Sequence, residues 1–165
     1  MQHFGAPSRL LDWTKSLYAA LYFAVVDSAD TDGTVWIADG NALRSELDFS
    51  QRSLSAHFLA KEMQGKKTVA WYEIFAPFDR LVSQQGLFTL STDIMMNHHA
   101  AIDDLHKKTA LRKLIIPSDC KADFLDKLVS MNITAASMFP GLDGIGRSIS
   151  ETISLLLAQQ MRSKK

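Results

Sequence analysis

Thirteen residues near the start of the chain concentrate the side chains best suited to chemistry. Gln2 to Thr14 reads Q-H-F-G-A-P-S-R-L-L-D-W-T. His3 can donate, accept or shuttle a proton near neutral pH. Arg9 offers a planar fork that matches a phosphate or a carboxylate. Asp12 can orient either cation, and the Trp13 indole can stack on a base or ring. Gly5 and Pro7 bend and stiffen the backbone beneath them. The same residues also suit a structural role, in which Arg9 and Asp12, three positions apart, pair with each other and Trp13 enters the core.

Other segments carry weaker signals. Gln84-Gln85-Gly86-Leu87-Phe88-Thr89 sets paired amides before a glycine, able to present donors and acceptors at a pocket edge or simply to turn the chain into a strand. Asn97-His98-His99 lies near Asp103 and Asp104. Adjacent histidines on a helix point about 100° apart, so only His99 and Asp103 share a face. His57 and His106 have no placement, the spacing supplies no third ligand, and no metal is expected. Gly141-Leu142-Asp143-Gly144-Ile145-Gly146-Arg147-Ser148 lacks the lysine and preceding strand of a phosphate loop and reads as a glycine-rich helix entry. Cys120, the sole cysteine, has no histidine beside it in sequence and reads as structural.

The elements that would position these groups are uneven. Residues 1–14 read as loop and short turns, with Thr14 as the N-cap of an apolar helix over 16–26. That helix is apolar on nearly every side and belongs in the middle of a fold. Strands are expected at Thr34–Ala38, Thr68–Phe75, Leu87–Ser91 and Leu111–Ile116. Asn41 caps a short helix through Leu47, and residues 48–66 form a helix around Leu54, Phe58, Leu59 and Met63. One or two helical turns cover Asp79–Gln85, and a helix lies within the mixed stretch 92–110. Ser118 caps a helix through Met131, Ile133–Met138 is helical or extended, and a last helix from Asp143 sets Ile145, Ile149, Ile153 and Leu156 on one face. Without a βαβ rhythm, the pattern predicts a single α+β domain over residues 1–165: a small mixed or antiparallel sheet, a buried central helix and packed C-terminal helices.

Composition bounds the function. A chain of 165 residues, 47% apolar and 22% charged, is an ordinary globular one. Eighteen basic and 18 acidic side chains cancel, so the basic excess that usually accompanies phosphate-backbone binding is missing and no nucleic-acid partner is signalled. Basic residues do gather around Lys61, Lys66 and Lys67 and at Arg162, Lys164 and Lys165, where they read as solvated surface. One cysteine allows no internal disulfide, which fits a reducing compartment. The longest apolar stretch, Leu17 to Val26, is shorter than the ~20 residues a bilayer requires. With no signal-peptide pattern at the start, the expectation is a cytoplasmic protein without a membrane segment.

The opening segment closely resembles the signature of the FRG domain, Q-H-[YF]-G-x-P-[TS]-R-L-L-D-W-[TS]. Ala20-Leu21-Tyr22-Phe23-Ala24 resembles the family's next helix. Arg80, Gln85, Gly86 and Phe88-Thr89 match a block of the form R-x-x-x-Q-x-G-x-F-T, and Leu114–Pro117 and Met138–Leu142 are similar to its C-terminal part. The family's upstream F-R-G motif has no counterpart in this sequence, which corresponds to most of such a domain without its N-terminal part. The family occurs mainly in bacteria and their phages. An arginine in an early strand, a polar loop and a distant glutamine are similar in layout to ADP-ribosyltransferase-like folds, an analogy of fold rather than of activity.

The resemblance implies an enzyme, or its remnant, that takes a small nucleotide-like ligand, with NAD as the candidate cofactor. In that reading His3, Arg9, Asp12 and Gln85 are the catalytic candidates. Gln2, Arg9, Trp13, Thr14, Gln84 and Phe88 line the ligand: Arg9 holds a phosphate, Trp13 or Phe88 stacks, and His3 or Gln85 orients the reacting group. The alternative is a non-catalytic module that recognises a protein or nucleic-acid partner in a bacterial or phage defence or toxin system, the neutral charge weakening the nucleic-acid version.

Overall fold

The structure, a computed structural model, describes residues 9–46, 68–74, 77–93, 95, 97–105 and 111–162. Five strands and a set of helices follow in mixed order: β1 (Leu10–Thr14), α1 (Leu17–Val26), β2 (Gly33–Ala38), α2 (Gly40–Glu46), β3 (Val69–Tyr72), α3 (Asp79–Ser83), β4 (Gly86–Ser91), α4 (His98–Leu105), β5 (Leu111–Ile116), α5 (Lys121–Ser130), α6 (Ala135–Met138) and α7 (Leu142–Arg162). A 3-10 turn, Ser118–Cys120, leads into α5. The class is α+β, as expected, with two small antiparallel sheets ordered β1-β4-β3 and β2-β5. In the first, Val69, Ala70, Trp71 and Tyr72 face Ser91, Leu90, Thr89 and Phe88.

Contacts divide the chain into two compact units. The first holds the chain up to Trp13, from Trp36 to Ala76 and from Gly86 to Arg112; the second holds Thr14–Val35, Pro77–Gln85 and Lys113 onward. The core of the first is built from Leu43, Val69, Trp71, Leu87, Ala101 and Ile102, with Trp13, Ala38 and Leu111 against it. That of the second joins Ala19, Tyr22 and Val25 of α1 to Val35, Ile116, Leu125, Leu128, Ala135, Met138 and Phe139.

Several expectations are corrected. Leu10–Thr14 is a strand, not a loop. Its burial does not alternate, so no period-2 pattern announces it, and pairing with β4 makes it a strand. Ser16, not Thr14, caps α1: the Ser16 hydroxyl accepts from the Ala19 amide at 3.3 Å. Likewise Asp39, not Asn41, caps α2, its Oδ1 accepting from the Asn41 and Ala42 amides.

The apolar helix α1 buries only the face of Ala19, Tyr22 and Val25, while Leu17, Tyr18 and Phe23 stand exposed. The C-terminal stripe is also turned to solvent. Ile145, Ile149, Ile153 and Leu156 are all more than half exposed. Apolar periodicity reports that a face exists, not that something covers it. The helix expected over 48–66 and the residues Leu54, Phe58, Leu59 and Met63 lie outside the described residues, as do His57, His106 and Phe75.

Lys121, at the start of α5, is only 4% exposed. Its ammonium donates to the carbonyls of Asp27, Ser28 and Thr31 at 2.5, 3.0 and 3.3 Å. These oxygens lie just beyond the C-terminus of α1, where a cation also meets the negative end of the helix dipole. The side chain thereby ties α5 to the turn after α1.

Candidate functional site

In the first unit the site grows from β1, whose neighbour is β4. Arg9 immediately precedes β1 and is exposed. Its Nη2 donates to the Ser91 carbonyl at 2.5 Å, so it is held by β4 and not by the pairing with Asp12 that its spacing allowed. Among the described residues, one hydrogen bond through a terminal nitrogen anchors the guanidinium, whose other N–H groups are further in-plane donors.

Trp13, half-buried, donates from Nε1 to the Thr89 hydroxyl at 2.9 Å. Thr89 is fully buried, so the partner that sets the indole cannot swing into water. The Thr89 carbonyl faces His98 Nε2 at 3.3 Å. A carbonyl only accepts, so in the neutral ring Nε2 carries the proton and Nδ1 is the basic nitrogen. Burial holds the imidazole below its ordinary range; the Thr89 carbonyl opposes this and the nearby Arg9 charge reinforces it. The result is a neutral, basic ring beside a cation.

Sequence reasoning weighed His98 only as a metal ligand and missed this role. Spacing within 97–104 carries no signal for it, because the partner lies in β4 and the charge precedes β1. His99, its neighbour, meets Trp36 edge-on with ring centres 5.0 Å apart. Among the described residues no three His, Cys, Asp or Glu side chains gather as metal ligands do.

The remaining candidates fall in other settings. Asp12 is exposed on β1. Phe88 is buried in β4, its ring 6.4 Å from that of Tyr72, a place in the sheet rather than a stacking surface. Thr14, Gln84 and Gln85 belong to the second unit. There the Thr14 hydroxyl donates to the Gln84 carbonyl at 2.6 Å, and the Gln84 amide donates to the Met138 carbonyl at 3.0 Å. Both side chains are thus engaged in tying the α3–β4 turn to the end of α6.

Gln85 is exposed and holds φ at +48°, a left-handed conformation that few non-glycine residues adopt. Its carbonyl accepts from the Lys15 amide at 3.0 Å. The Gly141–Ser148 segment is a helix entry, as expected: a Cβ on Gly144 would run into the carbonyl oxygens of Phe139 and Ala135. Cys120 ends the 3-10 turn, half-buried. Gln2 and His3 lie outside the described residues.

No helix among the described residues is long and apolar enough to cross a membrane. Neither the curated proteins nor the solved structures contain a match to this chain. The family model of the FRG domain matches residues 1–33, the stretch that carries Arg9, Asp12 and Trp13, in agreement with the family read from the motif.

Proposed function

We propose that the Arg9 face of the first unit binds a small anionic, nucleotide-like ligand, with NAD or ADP-ribose as the leading chemistry. The observation that carries this reading is the state of Arg9: exposed, yet anchored, among the described residues, by one hydrogen bond to the Ser91 carbonyl. A buried, fully paired arginine would be architecture. An anchored fork with donors to spare is how phosphate is held. Trp13, oriented through Thr89, supplies an aromatic surface, and His98 supplies a neutral base. In this reading His3, from the same motif, is the further candidate for proton transfer. Such an activity belongs to an ADP-ribosyltransferase-like enzyme or its remnant, working in the cytoplasm.

The test is a thermal-shift titration with NAD, ADP-ribose and common nucleotides. A ligand at a hundred times its Kd stabilises a fold by roughly 2.7 kcal/mol. Arg9→Ala should weaken binding at least tenfold while costing only about 1 kcal/mol of stability, the worth of one hydrogen bond. Unchanged affinity in the folded variant would sink the proposal.

A second reading, a non-catalytic module for a protein partner in a defence or toxin system, is favoured by the apolar side chains that α7 turns to solvent. No response to any nucleotide would favour it over the first.

A further inference from the structure

Two chargeable heads of the first unit are anchored on the same strand, β4. Arg9 donates through Nη2 to the Ser91 carbonyl at 2.5 Å, and the His98 ring meets the Thr89 carbonyl through Nε2 at 3.3 Å. Residues two apart in a strand turn their carbonyls to the same side, about 7 Å apart along it. That spacing is within the ~8 Å Debye length of physiological salt, so each head feels the charge of the other.

Few other charges face the ring. From Gly86 to Ser91, β4 carries no ionisable side chain, and β3, which packs against α4, carries only Tyr72, a phenol, uncharged where imidazoles titrate. On α4 itself His99 is turned to Trp36, and Asp103 lies more than a turn further on. Asp93, beyond β4, accepts from the Met95 amide at 2.9 Å, and Asp12 is exposed on β1. Burial first disfavours the charged form of His98 and the Thr89 carbonyl favours it; of the neighbouring charges, that of Arg9 adds to the disfavour.

An anion on Arg9 reverses this last effect, because its negative charge offsets the guanidinium. With Nε2–H already given to Thr89, an arriving proton goes to Nδ1, which has no partner among the described residues. The ring is half-buried, so solvent supplies that proton. We propose that His98 is the second cation of the Arg9 face: when a phosphate-bearing ligand seats on Arg9, the ring takes a proton onto Nδ1, and two positive charges hold the ligand instead of one. The inference rests on the anion-binding reading of Arg9 and gives that site its regulation. One proton enters as the site fills and leaves as it empties, so affinity rises as pH falls through the titration of the filled site and levels off below that of the empty one.

Calorimetry with ADP-ribose, together with NMR titration of the five imidazoles, tests this on the whole chain. The diphosphate diester of ADP-ribose keeps both charges across this range and brings no proton of its own. Buffers of different ionisation enthalpy should reveal proton uptake on binding. Affinity should be about fivefold tighter at about pH 5.5 than at about pH 8, and saturation should raise the His98 midpoint. In the ligand-free protein, Arg9→Gln should raise that midpoint too. His98→Gln, whose amide can still donate to Thr89, should flatten the pH dependence of binding, and His99→Gln should preserve it. Affinity that ignores pH, a His98 midpoint indifferent to ADP-ribose or to Arg9→Gln, or a shift at His3 in its place would overturn the inference and leave the anion site standing. Absence of ADP-ribose binding at every pH would overturn the anion reading and this inference with it.

Discussion

At the scale of single residues, two buried or half-buried cations-in-waiting show how environment assigns roles. Lys121 keeps its charge out of bulk water because three carbonyls receive it. Lys121→Met keeps the length and the apolar stem but strands those oxygens. Hydrogen bonds from charged groups contribute about 1.5–3 kcal/mol, so chemical denaturation should show a loss of about 2 kcal/mol or more. A variant as stable as the parent would mean that water replaces the ammonium.

His98 behaves in the opposite way. Burial first, and the Arg9 charge with it, disfavour its protonated form. A histidine whose folded pKa lies below its unfolded value adds stability fully present above about pH 6.5. That stability is lost as pH falls from there through the lower, folded value, because the unfolded chain binds the proton first. Melting midpoints should therefore decline below about pH 6.5 before most carboxylates titrate, and His98→Gln should flatten that part of the profile. An unaltered slope would show that another group is responsible.

At the scale of elements, Gly144 sets the approach of α7 to the end of α6. In an open helix, Gly→Ala gains about 1 kcal/mol from propensity alone. Here the added methyl would meet two backbone carbonyls, of Phe139 and Ala135, which cannot rotate away as a side chain would. Overpacking of this kind costs about 1–3 kcal/mol or more, so the balance reverses. Gly144→Ala should lower the urea midpoint, and a raised midpoint would show that α7 slides freely over α6. The caps follow the same local logic. Ser16 and Asp39 are side chains of the right type just before their helices. The sequence reading took Thr14 and Asn41 instead, because neighbouring residues share capping chemistry and only backbone geometry decides between them.

At the scale of the whole molecule, the described residues expose an apolar stripe along α7, from Leu142, 86% exposed, through Ile149, 59%, to Leu156, 55%. Replacing both Ile149 and Ile153 by Lys tests whether the stripe supports the fold. Surface substitutions usually change stability by no more than about 0.5 kcal/mol, whereas buried aliphatics cost about 2–5 kcal/mol when lost. A folded double variant with an unchanged denaturation midpoint is expected; a collapse of several kcal/mol would show the face to be covered in solution.

What the sequence determined is what short-range chemistry and periodicity encode. The opening motif named Arg9, Asp12 and Trp13, and most helices and four strands were legible because apolar patterns and glycine or proline breaks act within a few residues. The α+β class followed from their order. Tertiary structure decided the rest. Leu10–Thr14 became a strand only by pairing with β4, across more than seventy residues of chain. Arg9 was turned from Asp12 to Ser91, Thr14 and Gln84 were drawn into a latch on Met138, and His98 acquired its role from Thr89 and Arg9. Each of these rests on a partner distant in sequence, and no local pattern specifies which distant group a side chain will meet.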